Sequence, residues 1–219
     1  MKKINTLFAG CLLSSALISV NCMADEMRTY SVTITNLTPG QPIAPAMVAT
    51  HKAGMSFFTP GEAPPPELAP LAEAGNGNPM ADKLRTMRKI SAALVAANGI
   101  GPGASITLTI KAKHGDHLSL GAMLGNTNDA FAALTDVALP KKKQSVVYKA
   151  PAYDAGTETN DELCATVPGP ACGGAALSPA DSGEGMVTIH NGIHGVGDLN
   201  AALYDWRNPV ARVVITRMP

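Results

Sequence analysis

The sequence has no excess of basic residues: 17 lysines and arginines face 17 aspartates and glutamates over 219 residues, for a formal net charge of zero. A nucleic-acid partner calls for a basic face that can release counterions from phosphates, and nothing in this balance points to one. Long apolar runs are missing beyond the first residues, so no internal segment approaches the roughly 20 apolar residues of a membrane helix. Signatures of several chemistries are missing too. There is no GxSxG nucleophile elbow, and the glycine-rich Gly99-Ile-Gly-Pro-Gly103 contains proline and precedes a strand rather than a helix, unlike a phosphate or dinucleotide loop. The regularly spaced acids of an EF-hand are also lacking.

The first residues, MKKINTLFAGCLLSSALISVNCMADE, place two lysines ahead of an apolar run from Leu7 to Val20, followed by the small residues Cys22 and Ala24. This organisation predicts a bacterial Sec-type signal peptide over 1–24, cut after Ala24, and a periplasmic or secreted product. About 14 apolar residues are too few for a membrane anchor, and Cys11 sits too early in the run to be a lipidation site. The remaining 25–219 is enough for one domain with a substantial core and short for two. Loss of Lys2 and Lys3 leaves 15 basic against 17 acidic residues. Cys11 and Cys22 also leave, so Cys164 and Cys172 remain, and an oxidising compartment favours a disulfide between them. Two free thiols or half of a metal site are the alternatives, but CATVPGPAC lacks the CxxC spacing that zinc favours.

Short strand signals recur between Gly, Pro and Asn punctuation. In Tyr30–Asn36, polar Ser31, Thr33 and Thr35 alternate with Val32 and Ile34, the pattern of a strand with one wet face, and Ser105–Lys111 repeats it. His117–Leu124 follows the tight His114-Gly115-Asp116 link and reads as the second arm of a hairpin with 105–111. Ile43–Thr50, Phe131–Leu139, Ser145–Lys149, Gly185–His190 and Val210–Arg217 bring the expected total to eight. Such a series predicts an all-β antiparallel sandwich with one or two short helices in an insertion. The helices are expected over Glu67–Ala74 and over Asp82–Ala97, where Leu84, Met87, Ile90, Ala93 and Leu94 recur at helical spacing. Asn160–Gly185, rich in Gly, Pro and Ala, is long enough for a functional loop.

Oxygen ligands stand out in Tyr153-Asp154-Ala155-Gly156-Thr157-Glu158, where two carboxylates flank a glycine that allows a sharp turn. Asn126-Thr127-Asn128-Asp129 is a second polar loop, and two loops at one sandwich end can together supply the six to eight oxygens that calcium takes. Taken alone, such strings are more often solvated turns.

Larger blocks carry a resemblance. TITNLTPGQPIAP at 33–45, LAPLAEAGN at 68–76, LGAMLGNTNDAF at 120–131, YDAGTETN at 153–160, HNGIHGVGDLN and WRNPVARVVITR follow one another through nearly the whole mature chain. In order and spacing the chain resembles the spondin N-terminal domain of F-spondin and mindin, also found as a stand-alone secreted protein in bacteria. The resemblance implies a C2-like β-sandwich with one calcium ion at one end, held here by Asp129, Asp154 and Glu158. Glu158 stands where the animal domains have aspartate. The resemblance further implies a non-enzymatic binding or adhesion module with a cell-surface, matrix or envelope ligand.

Two rivals use other residues. His51, His190 and His194 could form an imidazole site for a transition metal, although Asn191-Gly192 and Gly195 argue against the helix that would align the last two. A hydrolase built on His190, His194 and Asp198 lacks an identifiable nucleophile, since Ser178 and Ser182 lie in a Gly/Pro loop.

Overall fold

A computed structural model describes residues 26–179 and 182–219. The expected signal peptide, 1–24, lies outside the described residues. The chain runs through β1 (Arg28–Asn36), β2 (Met47–His51), α1 (Leu68–Glu73), α2 (Asn78–Arg85), β3 (Ile90–Val95) and β4 (Ser105–Ala112). It continues with β5 (His117–Met123), β6 (Ala130–Ala138), β7 (Ser145–Ala150), β8 (Ala152–Asp154), β9 (Thr188–Ile189), α3 (Ala201–Tyr204) and β10 (Ala211–Arg217).

The strands form two antiparallel sheets, four-stranded in the order β4-β1-β10-β7 and six-stranded in the order β3-β2-β5-β6-β8-β9. The fold is an all-β sandwich. Between the sheets lies one core cluster, with Tyr30, Val32, Ile34, Val213 and Ile215 from the four-stranded sheet and Val48, Leu118, Leu120 and Ala132 from the six-stranded one. The six-stranded sheet has a second buried face. Met47 and Ala49 of β2 and Phe131 and Ala133 of β6 point there, against Phe57, Phe58, Leu68 and Leu71 and against Met80 and Leu84 of α2. The architecture is therefore layered as sheet, sheet and helical cover, and the centre of the middle layer, β2, β5 and the first half of β6, is dry on both sides.

Alternation put the strands of the four-stranded sheet within two residues of their observed ends. Four expectations fail elsewhere. The helix expected over 82–97 is cut: α2 starts early, with Pro79 inside its first turn, and closes in a turn where the N–H of Met87 donates to the Leu84 carbonyl. Ile90–Val95 becomes a strand because it completes a ladder on β2, with Val48 opposite Leu94 and Ala49 opposite Ala93, and the ladder outweighs a helical period. The 105–111 and 117–124 segments do not form a hairpin. The turn at Gly115 exists, but β4 has a wet face and belongs to the outer sheet, whereas β5, almost wholly buried, must enter the middle one. Ile43–Thr50 shortens to Met47–His51, because Pro45 has no N–H to donate and Ile43 makes only isolated bridges to Ile100 and Leu124. The strand over 185–190 shrinks to two residues, behind Gly185 at φ 75°.

Among the described residues no helix is long and apolar enough to cross a membrane. Cys164 and Cys172 form a disulfide inside the long connection from β8 to β9.

Candidate metal centre

The ladder between β6 and β8 builds the site. Ala130 pairs with Asp154, so Asp129, one residue before β6, and Asp154, the last of β8, meet at one end of the middle sheet. The Thr127 hydroxyl donates to the Leu124 carbonyl at 2.6 Å and accepts from the Ala130 N–H at 3.1 Å, which holds the loop ahead of Asp129 in place. After Asp154 the chain turns at Gly156, with φ 67°, and a Cβ there would collide with the backbone of Met186.

That turn aims donors at Asp129. Its Oδ2 accepts from the Thr157 N–H at 2.8 Å, the Thr157 hydroxyl at 3.2 Å and the Glu158 N–H at 3.1 Å. Its Oδ1 is buried and has no hydrogen-bond partner. Asp154 accepts from the Gly156 N–H at 2.7 Å through Oδ1 and from the Asn160 amide at 2.7 Å through Oδ2. Glu184 arrives from the long connection, where the Gly185 N–H donates to the Gly156 carbonyl at 2.8 Å. One carboxylate oxygen each of Asp129, Asp154 and Glu184 lies within 4.8 Å of the others.

Three carboxylates this close repel one another, and two of them are desolvated. Burial first, and then the negative charge of Asp154, push the Asp129 carboxyl up to about 8. Asp154 is raised by burial and by Glu184. A proton or a cation relieves the strain, and the orphaned Oδ1 of Asp129 marks where a cation would gain most. The donor set is all oxygen, which suits a hard divalent ion.

Glu158 is placed differently from the other two expected ligands. Its N–H serves Asp129, while its own buried carboxyl is pushed up to about 7 by burial and by the charges of Glu73 and Asp161. The third carboxylate at the cluster is Glu184, which sequence reading did not single out. The signal available was an acid between two glycines, Gly183 and Gly185, inside the loop already marked as functional.

The histidines are dispersed. His51 is buried on β2, with Nε2 bonded to the Ser119 hydroxyl at 2.8 Å and Nδ1 to the Lys52 carbonyl at 2.9 Å. His190 is also buried, its ring 5.1 Å from that of Trp206. Because its Nδ1 accepts from the Gly192 N–H, its Nε2 carries the proton and donates to Asn160 Oδ1 at 3.0 Å. Burial, then nearby His194, lowers His190 to about 4, so the ring is neutral. Asn160 in turn bonds both Asp154 and, at 3.4 Å, Glu184. His190 thus braces the acidic cluster from behind.

His194 is exposed, and its N–H joins those of Gly195 and Val196 on the buried Glu162 carboxylate. Asp198 accepts from the Cys164 N–H at 2.8 Å. His51, His190 and His194 do not form a common metal-ligand group; among the described residues the acidic trio is the group of His, Cys, Asp or Glu close enough to hold an ion. A cleft of about 200 Å³ beside the trio is lined by Asp154, Asn160, Glu162, His190 and His194, and its one hydroxyl residue, Thr127, has that group committed to backbone.

Comparison with protein-family models finds no match, and no curated protein matches the chain.

Proposed function

We propose that this protein is a secreted, non-enzymatic β-sandwich module of the spondin N-terminal type, which binds one calcium ion at its loop end and a surface, matrix or envelope ligand. One observation carries the metal reading: a fully buried Asp129 oxygen without a partner, facing two further carboxylates. An all-oxygen cluster on irregular loops suits calcium better than magnesium, whose small octahedral shell demands near-ideal geometry. Export is supported by the leader-like first residues and by the disulfide, which persists in oxidising compartments. The binding role rests on the family resemblance, since a fold alone does not name a function.

The test is the melting temperature of chelator-stripped protein with and without calcium. Extracellular calcium modules bind near about 10⁻⁴ to 10⁻³ M, and ten times the dissociation constant adds about 1.4 kcal/mol, a rise of a few degrees. Glu184→Gln abolishes most of the rise, whereas Glu158→Gln retains it if Glu184 is the third ligand; the reverse pattern restores Glu158 to that role. Identical melting in calcium and chelator, with no heat of binding, overturns the metal reading.

A further inference from the structure

The outer face of the four-stranded sheet is chemically unlike the rest of the molecule. β1, β4, β7 and β10 contain no aspartate or glutamate. The outward positions are mostly hydroxyls joined across strands: Thr33 to Thr107, Thr35 to Ser105, and Ser145 to Thr216, each at 2.8 Å. The charges among them are all positive: Lys111 on β4, Lys149 on β7 and Arg212 on β10.

Register makes the placement costly. Arg212 lies directly opposite Lys149, and like charges in that position destabilise a sheet. Among the described residues neither has a carboxylate partner in an ion pair. At the other end of β7, Lys141, Lys142 and Lys143 are exposed in the connection from β6. From Lys143 to Lys149 an extended chain covers about 20 Å. The zero net charge of the whole chain conceals this strip, because the acids gather elsewhere.

We propose that this face binds an acidic polysaccharide bearing uronic-acid carboxylates. Paired cations at one end and lysines at the other match the repeating charge of an extended polymer, and the guanidinium fork of Arg212 suits a planar carboxylate. The hydroxyl ladders between them offer donors and acceptors to sugar hydroxyls. Other polyanions fit less well. Four adjacent strands are wider than a DNA groove, and the outward positions hold no aromatic ring on which a base could stack. Its apolar content, Val147 and Val214, is too small to enter a lipid surface.

The experiment uses the exported protein in chelator, which removes any contribution of a calcium site and keeps the polymer from being crosslinked by the ion. Binding to immobilised polygalacturonate is compared with neutral dextran, duplex DNA and phosphatidylglycerol vesicles. Polygalacturonate is expected to bind best, with affinity falling as salt rises. K149Q/R212Q is expected to weaken binding about tenfold while melting at or above the wild-type temperature, because the like-charge pair is gone, and K149E/R212E, which keeps a like-charge pair of the opposite sign, is expected to weaken binding further. Unchanged affinity in both variants overturns the proposal. So does tighter binding to dextran, DNA or vesicles, or no binding to polygalacturonate by the wild-type protein.

Discussion

The outer and middle sheets share one core but meet different surroundings. The four-stranded sheet presents its far face to water, and its strands alternate between inward apolar side chains and outward ones that are mostly hydroxyl or basic. The six-stranded sheet is covered on its far face by α1, α2 and the Phe57-Phe58 segment, so Met47 to His51 is buried at every position. A sheet dry on both faces can desolvate polar groups at its ends, and it is there that Asp129 and Asp154 meet. A sheet with one wet face keeps its polar groups solvated and displays them. The candidate ion site and the candidate polymer face therefore occupy the two places where each chemistry is physically available.

The sharpest way to break this contrast is to cut into the covered face. Phe131 is fully buried there, with its ring 5.0 Å from Phe58 and 5.7 Å from Tyr153. Phe131→Ala is expected to cost about 3–5 kcal/mol in urea unfolding, as deletion of a buried aromatic does. A cost below about 1 kcal/mol would show that the helical cover packs loosely and that the middle sheet is not dry on that side.

The next largest effect belongs to the connection from β8 to β9. Reducing the Cys164–Cys172 bond opens a short loop, for which chain entropy gives about 2–3 kcal/mol. Because the loop lies beside the acidic cluster and outside both sheets, reduction is expected to raise hydrogen exchange in residues 160–175 before it affects β1 or β10. Simultaneous loss of protection in the four-stranded sheet would contradict that separation.

Proton linkage distinguishes the two regions as well. The folded Asp129 carboxyl, pushed up to about 8, holds a proton that the unfolded chain has released well below neutrality. The folded state then binds more protons than the unfolded one, so stability falls as pH rises toward 8. Glu158, pushed up to about 7, has the same sign. His190 acts in the opposite sense: its folded value is lowered to about 4, so its contribution is lost as pH falls below 6.5. Between pH 6.5 and 8, beyond the reach of His190, the chelated protein is expected to melt progressively lower, and calcium is expected to flatten the trend by replacing the proton. A flat profile in chelator would mean that Asp129 is solvated, like the side chains of the outer sheet.

How far each region could be read from sequence follows the same physics. A wet face leaves a period of two, so Tyr30–Asn36 and Val210–Arg217 identified β1 and β10 closely. In Ile90–Val95 every residue is apolar or small and half-buried on either face, so no period of two shows, and the segment fitted a helix as readily as a strand. Only the neighbour, β2, decides between them. Asp129 and Asp154 were visible because each lies in a short polar string beside a strand. Glu184 was not, because it reaches the cluster from thirty residues beyond Asp154 through a fold of the chain that no local pattern encodes.

The smallest expected effect tests the wet side directly. Thr33 is outward-facing on β1, and its hydroxyl bonds the Thr107 hydroxyl at 2.8 Å across to β4. Both hydroxyls are accessible to solvent, so removing one exchanges a protein hydrogen bond for water rather than leaving a dry, unpaired group. Cross-strand Thr pairs contribute about 0.2–1 kcal/mol, and Thr33→Ala should fall at the low end of that range. Thr107→Ala should cost about the same, and the double variant less than the two costs added, because the pair is lost only once. Urea midpoints with an unchanged slope would measure all three differences. A Thr33→Ala cost approaching that of Phe131→Ala would place Thr33 in a dry environment and remove the distinction between the two sheets on which the polymer-binding face depends.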